Sequence, residues 1–371
     1  EISCSLVGSE MCIRDRATIN WGPDINRMMN MNTDRWIKAL LCVLVLVVLL
    51  FLFILLDLSW AGNRTLSLGE VWAALMGDGT WGTDQIVNSQ NLPRIAIGVF
   101  VGAGLAVTGG VMQAVFRNPL ADPYILGLSS GASLGSALAI LVGVSFIPLS
   151  ASQPMLAFVF CLLTMFLVYT VSRAGGGNVR TETLVLAGVA VSALISAIVS
   201  FLTYIAPSDE MQDIVFWSMG NLGNPEWTEI AIVATVVVAG AAVMLTQCRK
   251  LNAMMLGDAH AMDLGVDVAK VRLMLLVVSS LVVAVSVAFV GTIGFIGLVI
   301  PHIFRLMLGP DNRLVLPLST LGGAAFIIMC DYVAHFVAPY YGVLPIGVVT
   351  SLVGAPFFVY LLVSRRREVG W

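Results

Sequence analysis

The stretch ALLCVLVLVVLLFLFILL, residues 39–56, is apolar throughout and contains no charged side chain. A helix needs about 20 apolar residues to cross the hydrocarbon core of a bilayer. A barrel strand would instead alternate apolar and polar side chains over about ten residues. The stretch therefore predicts a transmembrane helix and places the chain among helical membrane proteins.

The composition of the whole chain agrees with this class. The 371 residues are 58% hydrophobic and only 11% charged, unlike an ordinary soluble domain. The six cysteines lack CxxC or similar spacing, which indicates neither a metal site nor a disulfide framework. The net charge of -3 is spread over loops, and no basic aromatic patch indicates nucleic acid binding. We predict an all-α, polytopic protein whose partner is membrane lipid.

The first 30 residues are left out of the fold prediction. The chain begins with Glu1, and SLVGSEMCIRDR (residues 5–16) resembles translated sequencing-adapter read-through more than a natural terminus. A native polar tail is the alternative. We expect residues 1–30 to be a non-native or disordered leader and residues 31–371 to form a single transmembrane domain. The expected native start is one of three methionines, Met28, Met29 or Met31.

Ten apolar runs predict ten spans. They cover residues 39–58, 93–116, 124–144, 151–171, 184–205, 227–245, 273–290, 293–308, 316–337 and 344–363. Loops on the cytoplasmic side of membrane proteins carry an excess of Lys and Arg. With ten spans, only Arg64 and Arg94 among the basic residues after residue 30 lie on the outer side. Both termini are therefore predicted to be cytoplasmic. Spans 2 to 5 and spans 7 to 10, which start from opposite sides of the membrane, permit an inverted repeat.

The longest charged interruption between two apolar runs is CRKLNAMMLGDAHAMDLGVDVAKVR, residues 248–272. Leu251, Met254 and Met255 fall at helical spacing, and Asp258 could cap a second short helix that ends at Gly265. Asp267 could likewise cap the following span. The segment is either a solvated loop or a structured docking element for a cytoplasmic partner.

Glycines recur at intervals of four within two spans. They are Gly98 and Gly102 in span 2, and Gly127, Gly131 and Gly135 in span 3. Such spacing lets helices approach closely in lipid. The glycines serve either tight packing or a moving pathway.

The segment RNPLADP follows span 2. Pro119 and Pro123 remove backbone donors and must interrupt the helix, with Arg117, Asn118 and Asp122 around them. The segment is either a simple loop or a fixed corner.

Catalytic motifs are missing from the sequence. No GxxxxGK[ST] loop could hold nucleotide phosphates, and no Ser/His/Asp or HExxH arrangement occurs. The three histidines, His260, His302 and His335, are far apart and are interpreted as packed or interfacial side chains. Asp331 is the one clear acid within a span, so a proton relay is not indicated. A translocator driven by separate ATPase subunits fits better than an ion-coupled carrier.

Several blocks of sequence, in family order, are similar to the FecCD-type permeases of ABC importers, the group for vitamin B12, ferric siderophores and haem. The central block is GTIGFIGLVIPHIFR (residues 291–305). The others are NLPR (91–94), GGVMQAVFRNPLADPYILGLSSGASLG (109–135), WSMGNL (217–222), GPDNRLVLPLSTLGGA (309–324) and LPIGVVTSLVGAPFFVYLL (344–362). Together they span nearly all of residues 35–367.

The resemblance implies a type II ABC importer permease in the bacterial cytoplasmic (inner) membrane. It implies a homodimer, two cytoplasmic ATPase subunits that bind ATP and Mg, and a periplasmic or lipid-anchored binding protein. The chain itself would bind no cofactor or metal and catalyse no reaction. Residues 256–265 match the family's short helices that contact the ATPase. The predicted coupling residues are Leu256, Gly257, Asp258, Ala259, His260, Ala261, Met262, Leu264 and Gly265.

The outer end of span 9 departs from the family pattern. Many members carry Arg in a DxxAR motif there, which can pair with an acid on the binding protein, whereas residues 331–335 read DYVAH. His335 would be charged only at lower pH. We therefore predict docking through Arg64, Arg94 and a pH-sensitive His335.

The resemblance also implies a pathway at the dimer axis, lined mainly by spans 5 and 10. The predicted pathway or gate residues are Leu344, Pro345, Gly347, Thr350, Ser192 and Ser196. We expect a permease subunit for an iron chelate, with a ferric siderophore first and haem or vitamin B12 as alternatives. A secondary transporter that needs no ATPase is the alternative of another class.

Overall fold

The computed structural model describes residues 22–61, 65–143, 147–174 and 181–365. Residues 1–21 of the predicted leader and Arg64, a predicted docking residue, lie outside this part. The chain divides into two compact units, Glu1–Leu44 and Val45–Trp371. The contacts described below all lie within the second unit.

The described residues are almost entirely helical. The helices are α1 (Gly22–Leu58), α2 (Leu68–Met76), α3 (Trp81–Ile86), α4 (Leu92–Val115), α5 (Leu128–Val142), α6 (Leu149–Ala174), α7 (Thr181–Ile205), α8 (Ser208–Ser218), α9 (Trp227–Thr246), α10 (Cys248–Met255), α11 (Asp258–Asp263), α12 (Val268–Val290), α13 (Ile296–Leu308), α14 (Asn312–Tyr341) and α15 (Ile346–Arg365). A π-helical turn, Val87–Asn91, joins α3 to α4, and a 3₁₀ turn, Pro123–Leu126, precedes α5.

The predicted ten-span, all-α fold is confirmed. Seven helices of the described chain are long and apolar enough to cross a membrane, and α5, α13 and the first part of α15 are shorter apolar helices. These ten correspond in order to the ten predicted spans. Span 7 starts five residues before its predicted position, at Val268, because Asp267 caps the helix by accepting the N–H of Lys270 at 3.1 Å. This cap was predicted from the sequence.

Helix α4 lies at the centre of the bundle. It packs against α9, α12, α13 and α14. In its most apolar 18-residue stretch, 83% of the residues are buried, compared with 28% in the corresponding stretches of α6 and of α7. Glycines set its crossings: a Cβ at Gly102 would overlap the backbone of Gly323, and one at Gly109 would overlap that of Gly297. Since lipid supplies no hydrophobic force between helices, such close backbone approach is what holds them together.

The glycines predicted in span 3 also serve tight packing. A Cβ at Gly131 would lie 2.7 Å from the carbonyl oxygen of Phe160, and one at Gly135 would overlap the backbone of Leu156. Both neighbours belong to α6. Of the two interpretations of the glycine series, close packing is therefore the one that the structure shows at these positions.

The RNPLADP segment is a fixed corner rather than a simple loop. The Asp122 carboxylate accepts the N–H of Tyr124 at 2.8 Å and caps the 3₁₀ turn, while Asn118 Oδ1 accepts the N–H of Leu120 at 2.9 Å. Arg117 adopts a left-handed conformation with φ of 49°. Side-chain caps and this uncommon backbone conformation together turn the chain sharply after α4.

Candidate functional site

The charged segment between α9 and α12 folds into two short helices, as its spacing predicted. Leu251 and Met254 are buried on one face of α10, and Gly265, with φ of 79°, ends the turn after α11. One detail of the prediction was wrong. Gly257, not Asp258, occupies the N-cap position of α11. Asp258 is instead the first residue of α11, and its carboxylate binds two arginines.

Three apolar side chains of this segment point outward and define an apolar face, which the distribution of Lys and Arg predicts to be cytoplasmic. Leu256 is 70% exposed, Met262 59% and Leu264 67%. Among the other predicted coupling residues, Ala259, His260 and Gly265 are exposed, and Gly257 and Asp258 are half-buried. Ala261 is fully buried. It packs inward and lies outside the apolar face, so the contact role predicted for its side chain does not fit its position.

Asp258 connects α11 to two neighbouring elements. Nη2 of Arg272, on α12, donates to both carboxylate oxygens at 3.0 and 2.9 Å. Arg117, at the corner that follows α4, forms a second ion pair with the same carboxylate. The three side chains, named here the Asp258 triad, join α11 to α12 and to the C-terminal end of α4.

A polar network ties α10 to the same region. Arg305 of α13 donates to the carbonyl oxygen of Gly110 at 2.8 Å, to Gln113 Oε1 at 3.2 Å and to Asn312 Oδ1 at 2.9 Å. Asn252 Oδ1, on α10, in turn accepts from the backbone and side-chain nitrogens of Asn312 at 2.9 and 2.7 Å. Neutral oxygens therefore satisfy a half-buried guanidinium. Sequence reasoning assigned Arg305 only to the positive cytoplasmic side.

A second charged cluster lies at the opposite end of α4. Arg94 donates from Nε to Asp331 at 2.8 Å and from Nη2 to Asp57 at 3.1 Å, and its side chain is only 11% exposed. Nδ1 of His335 lies 2.9 Å from the carbonyl oxygen of Asp331 and 3.6 Å from its carboxylate. Arg94 and the three residues around it are named here the Arg94 cluster.

This geometry corrects the predicted docking role of Arg94 and His335. The Arg94 guanidinium is bound by two internal carboxylates, and the His335 side chain is 13% exposed. Neither offers a free charge to a partner. In the sequence, Asp57, Arg94 and Asp331 stand out as isolated charges in three apolar spans, but nothing in the sequence pairs them.

The predicted gate region contains a contact made by main-chain atoms. The N–H of Asn221 donates to the carbonyl oxygen of Val290 at 2.8 Å, that of Ile346 to Gly220 at 3.1 Å, and that of Gly347 to Met219 at 3.0 Å. Three breaks between helices meet here: the end of α8, the turn between α12 and α13, and the start of α15. We name this contact the backbone junction.

Two cavities border the backbone junction. Leu344 and Pro345 line one of about 390 Å³, with Asp213 and Trp217 of α8. Gly347 lines the other, of about 580 Å³, with Thr292, Ser351 and Leu352. Four of the predicted pathway residues thus lie at or next to the junction, the fourth being Thr350. Its hydroxyl donates to the carbonyl oxygen of Gly347 at 3.1 Å, and its side chain is buried.

The structure places the two serines predicted for the pathway away from these cavities. On α7, Ser192 is half-buried and Ser196 is exposed. A Cβ at Gly127 would lie 2.9 Å from Ser192 Oγ, so Ser192 packs over the start of α5.

Two transport-system permeases are similar to this chain over most of its length. The hemin transport system permease protein HmuU of Yersinia pestis is 40% identical over 325 residues, covering 86% of this chain and 95% of that protein. The cobalamin import system permease protein BtuC of Halobacterium salinarum is 44% identical over 284 residues, covering 76% and 74%.

Two solved structures resemble this chain in fold. A structure described as an inward-facing conformation of a metal-chelate type ABC transporter matches with a TM-score of 0.77 at 32% identity, covering 86% of this chain and 98% of that one. PsaBC from Streptococcus pneumoniae, at 20% identity and a TM-score of 0.51, shares the fold. Residues 41–364 match the FecCD transport family, and the chain belongs to that family.

Proposed function

We propose that this chain is the membrane-spanning permease subunit of an ABC importer for a metal chelate. The observation that carries the proposal is the exposed cytoplasmic apolar face on α10–α11, held to the bundle by the Asp258 triad, in a chain of the FecCD family. An exposed apolar face of this kind is suited to bind an ATPase subunit whose movement is passed on to the membrane domain. Among the described residues, the segment contains no recognised arrangement of catalytic side chains. The role that we propose for the chain is translocation.

The partners of the proposal are two ATPase subunits, a second copy of this chain and an extracytoplasmic binding protein. ATP and Mg belong to the ATPase subunits. The chain lies in the bacterial cytoplasmic (inner) membrane with both termini cytoplasmic, which the distribution of Lys and Arg supports. Docking of the binding protein rests on Arg64 and uncharged contacts, because Arg94 and His335 are engaged in the Arg94 cluster.

The substrate of the proposal is a bulky metal chelate. Haem and cobalamin, the cargoes named for the two relatives, are both macrocycles that hold a metal ion. The sequence favours a ferric siderophore through its RNPLADP segment, and the 40% identity to a hemin permease favours haem as the second candidate.

Uptake into proteoliposomes tests the proposal. The complex is purified through a tag on this chain and reconstituted into proteoliposomes. Haemin, cyanocobalamin or ferrichrome is added on the side opposite the ATPase, and ATP is supplied or withheld on the ATPase side. We expect accumulation of one chelate only with ATP and the ATPase present. Accumulation without ATP would instead establish the secondary-transporter alternative.

A further inference from the structure

Both halves of the cytoplasmic segment reach the same helix by polar contacts. On the α11 side, Asp258 pairs with Arg117, two residues beyond the end of α4. On the α10 side, Asn252 binds Asn312, and Asn312 accepts a hydrogen bond from Arg305. These two routes start from different short helices, yet both end at the cytoplasmic end of α4.

The contacts at α4 itself are made to its backbone and to a buried side chain. Arg305 donates to the carbonyl oxygen of Gly110 and to Gln113, which is 2% exposed. Gln113 also donates to the carbonyl oxygen of Leu298 at 3.0 Å. For α10, this closely packed site leaves little room for side-chain rotation to absorb a displacement. For α11, the link runs through the Asp258–Arg117 ion pair, whose side chains are each 39% exposed.

Helix α4 then carries polar contacts at its other end. Arg94, in its first turn, binds Asp57 of α1 and Asp331 of α14. Between the two ends, the crossings at Gly102 and Gly109 leave no free space for the helix to bend independently of α13 and α14. The helix therefore joins the cytoplasmic segment to the outer ends of two other spans.

We propose that α4 transmits the movement of the ATPase-facing segment across the membrane, and that Asp258 is the positioning residue that fastens α11 to it through Arg117. This inference rests on the proposed function, since it concerns how an ATP-driven permease uses its coupling segment. It assigns to Asp258 a contact with this chain's own helices rather than with the ATPase.

The test compares Asp258→Asn and Arg117→Gln with the control Asp263→Asn. Asp263 lies on the same short helix, is exposed, and forms no ion pair within the described part of the chain. Each variant is purified as the complex with its ATPase and reconstituted. ATP hydrolysis and uptake are then measured with whichever of haemin, cyanocobalamin and ferrichrome the wild-type complex accumulates.

We expect both test variants to co-purify with the ATPase and to hydrolyse ATP within about twofold of the wild-type rate, while the ATP consumed per chelate rises about tenfold or more. The double variant should be no worse than Asp258→Asn alone, because the ion pair that Arg117→Gln removes is already lost in Asp258→Asn. Asp263→Asn should keep the wild-type ratio.

Three results would overturn the inference. The first is an unchanged amount of ATP consumed per chelate in Asp258→Asn. The second is the same outcome in Arg117→Gln, a substitution that leaves the sequence of α11 unchanged. The third is loss of ATPase co-purification with Asp258→Asn, because it would place the carboxylate at the ATPase contact. If Asp258→Asn does not accumulate in cells, the ATP consumed per chelate by Arg117→Gln is the deciding measurement. ATP-independent uptake by the wild-type complex would refute the proposed function and is separate from all three.

Discussion

Arg94 shows how a single side chain can hold three spans together. Two carboxylates, Asp57 and Asp331, are almost fully buried, and each binds the guanidinium. Taking a carboxylate out of water is costly unless a cation or several donors compensate for it. The planar guanidinium can serve both acids at once, which the single ammonium of Lys could not do in the same geometry.

Replacing Arg94 by Gln should therefore destabilise the protein strongly. Removing one partner of a buried ion pair costs about 3–5 kcal/mol, because the remaining charge is left uncompensated. We expect a clear fall in the melting temperature of the purified protein in detergent. Adding Asp57→Asn to Arg94→Gln should recover part of the loss, and a double variant less stable than Arg94→Gln would contradict this account of the cluster.

Asp122 makes stability depend on pH. Burial raises the pKa of Asp122 from 3.8 to about 6, although the hydrogen bond from the N–H of Tyr124 acts in the opposite direction. The folded chain holds this proton more tightly than the unfolded chain, so wild-type stability falls as the pH rises from about 4 to about 6. That contribution stays lost at neutral pH.

Asp122→Asn keeps an acceptor for the 3₁₀ turn and removes the charge. The variant should match the wild type near pH 4 and become more stable through the window up to about pH 6, by no more than about 3 kcal/mol. Melting temperatures measured in detergent at pH 4 and at pH 7.5 test this. An advantage of equal size at both values would show that the charge of Asp122 is not its cause.

At the scale of helices, the crossing of α4 and α13 depends on the absence of a side chain. A Cβ at Gly109 would overlap the backbone of Gly297, and backbone cannot move aside as the end of a side chain can. Gly109→Ala should cost about 1–3 kcal/mol, as overpacked cores usually do. The control is Gly82→Ala, where a Cβ would meet no atom within 4 Å. Thermal stability in detergent should fall for Gly109→Ala alone.

The ten spans and the two short helices between α9 and α12 could be predicted from the sequence, because hydropathy and helical spacing are local properties. The partners of Arg94 could not, since nothing local says that the ends of α1, α4 and α14 are neighbours. Ala261 shows the same limit. Its small apolar side chain suits a protein contact equally well on the inner or the outer face of α11, and only the packing shows that it is buried.

The backbone junction lay still further beyond sequence reasoning. Its hydrogen bonds join main-chain atoms of residues 219–221, 290 and 346–347, and main-chain groups are the same in every residue. The glycines there gave a partial signal. Gly220 and Gly291 have φ of 74° and 71°, a conformation that glycine adopts readily.

At the scale of the whole molecule, the proposed orientation predicts which loops reagents can reach. A cysteine at Asp78 should react with a membrane-impermeant maleimide in intact cells, because this exposed residue lies in the outer loop after span 1. A cysteine at Leu264 should react only after the cells are permeabilised. Labelling of Leu264→Cys in intact cells would reverse the assigned orientation. The unsubstituted chain gives the background from its own cysteines.

The backbone junction also has an evolutionary consequence. Because peptide groups carry the contact, the neighbouring side chains that line the larger cavity, such as Ser351 and Leu352, can change without the loss of a hydrogen bond. One scaffold can therefore vary the lining of this cavity through few substitutions. In the proposed importer, a change in the lining of this cavity would alter which chelate is admitted while the hydrogen bonds of the backbone junction stay intact.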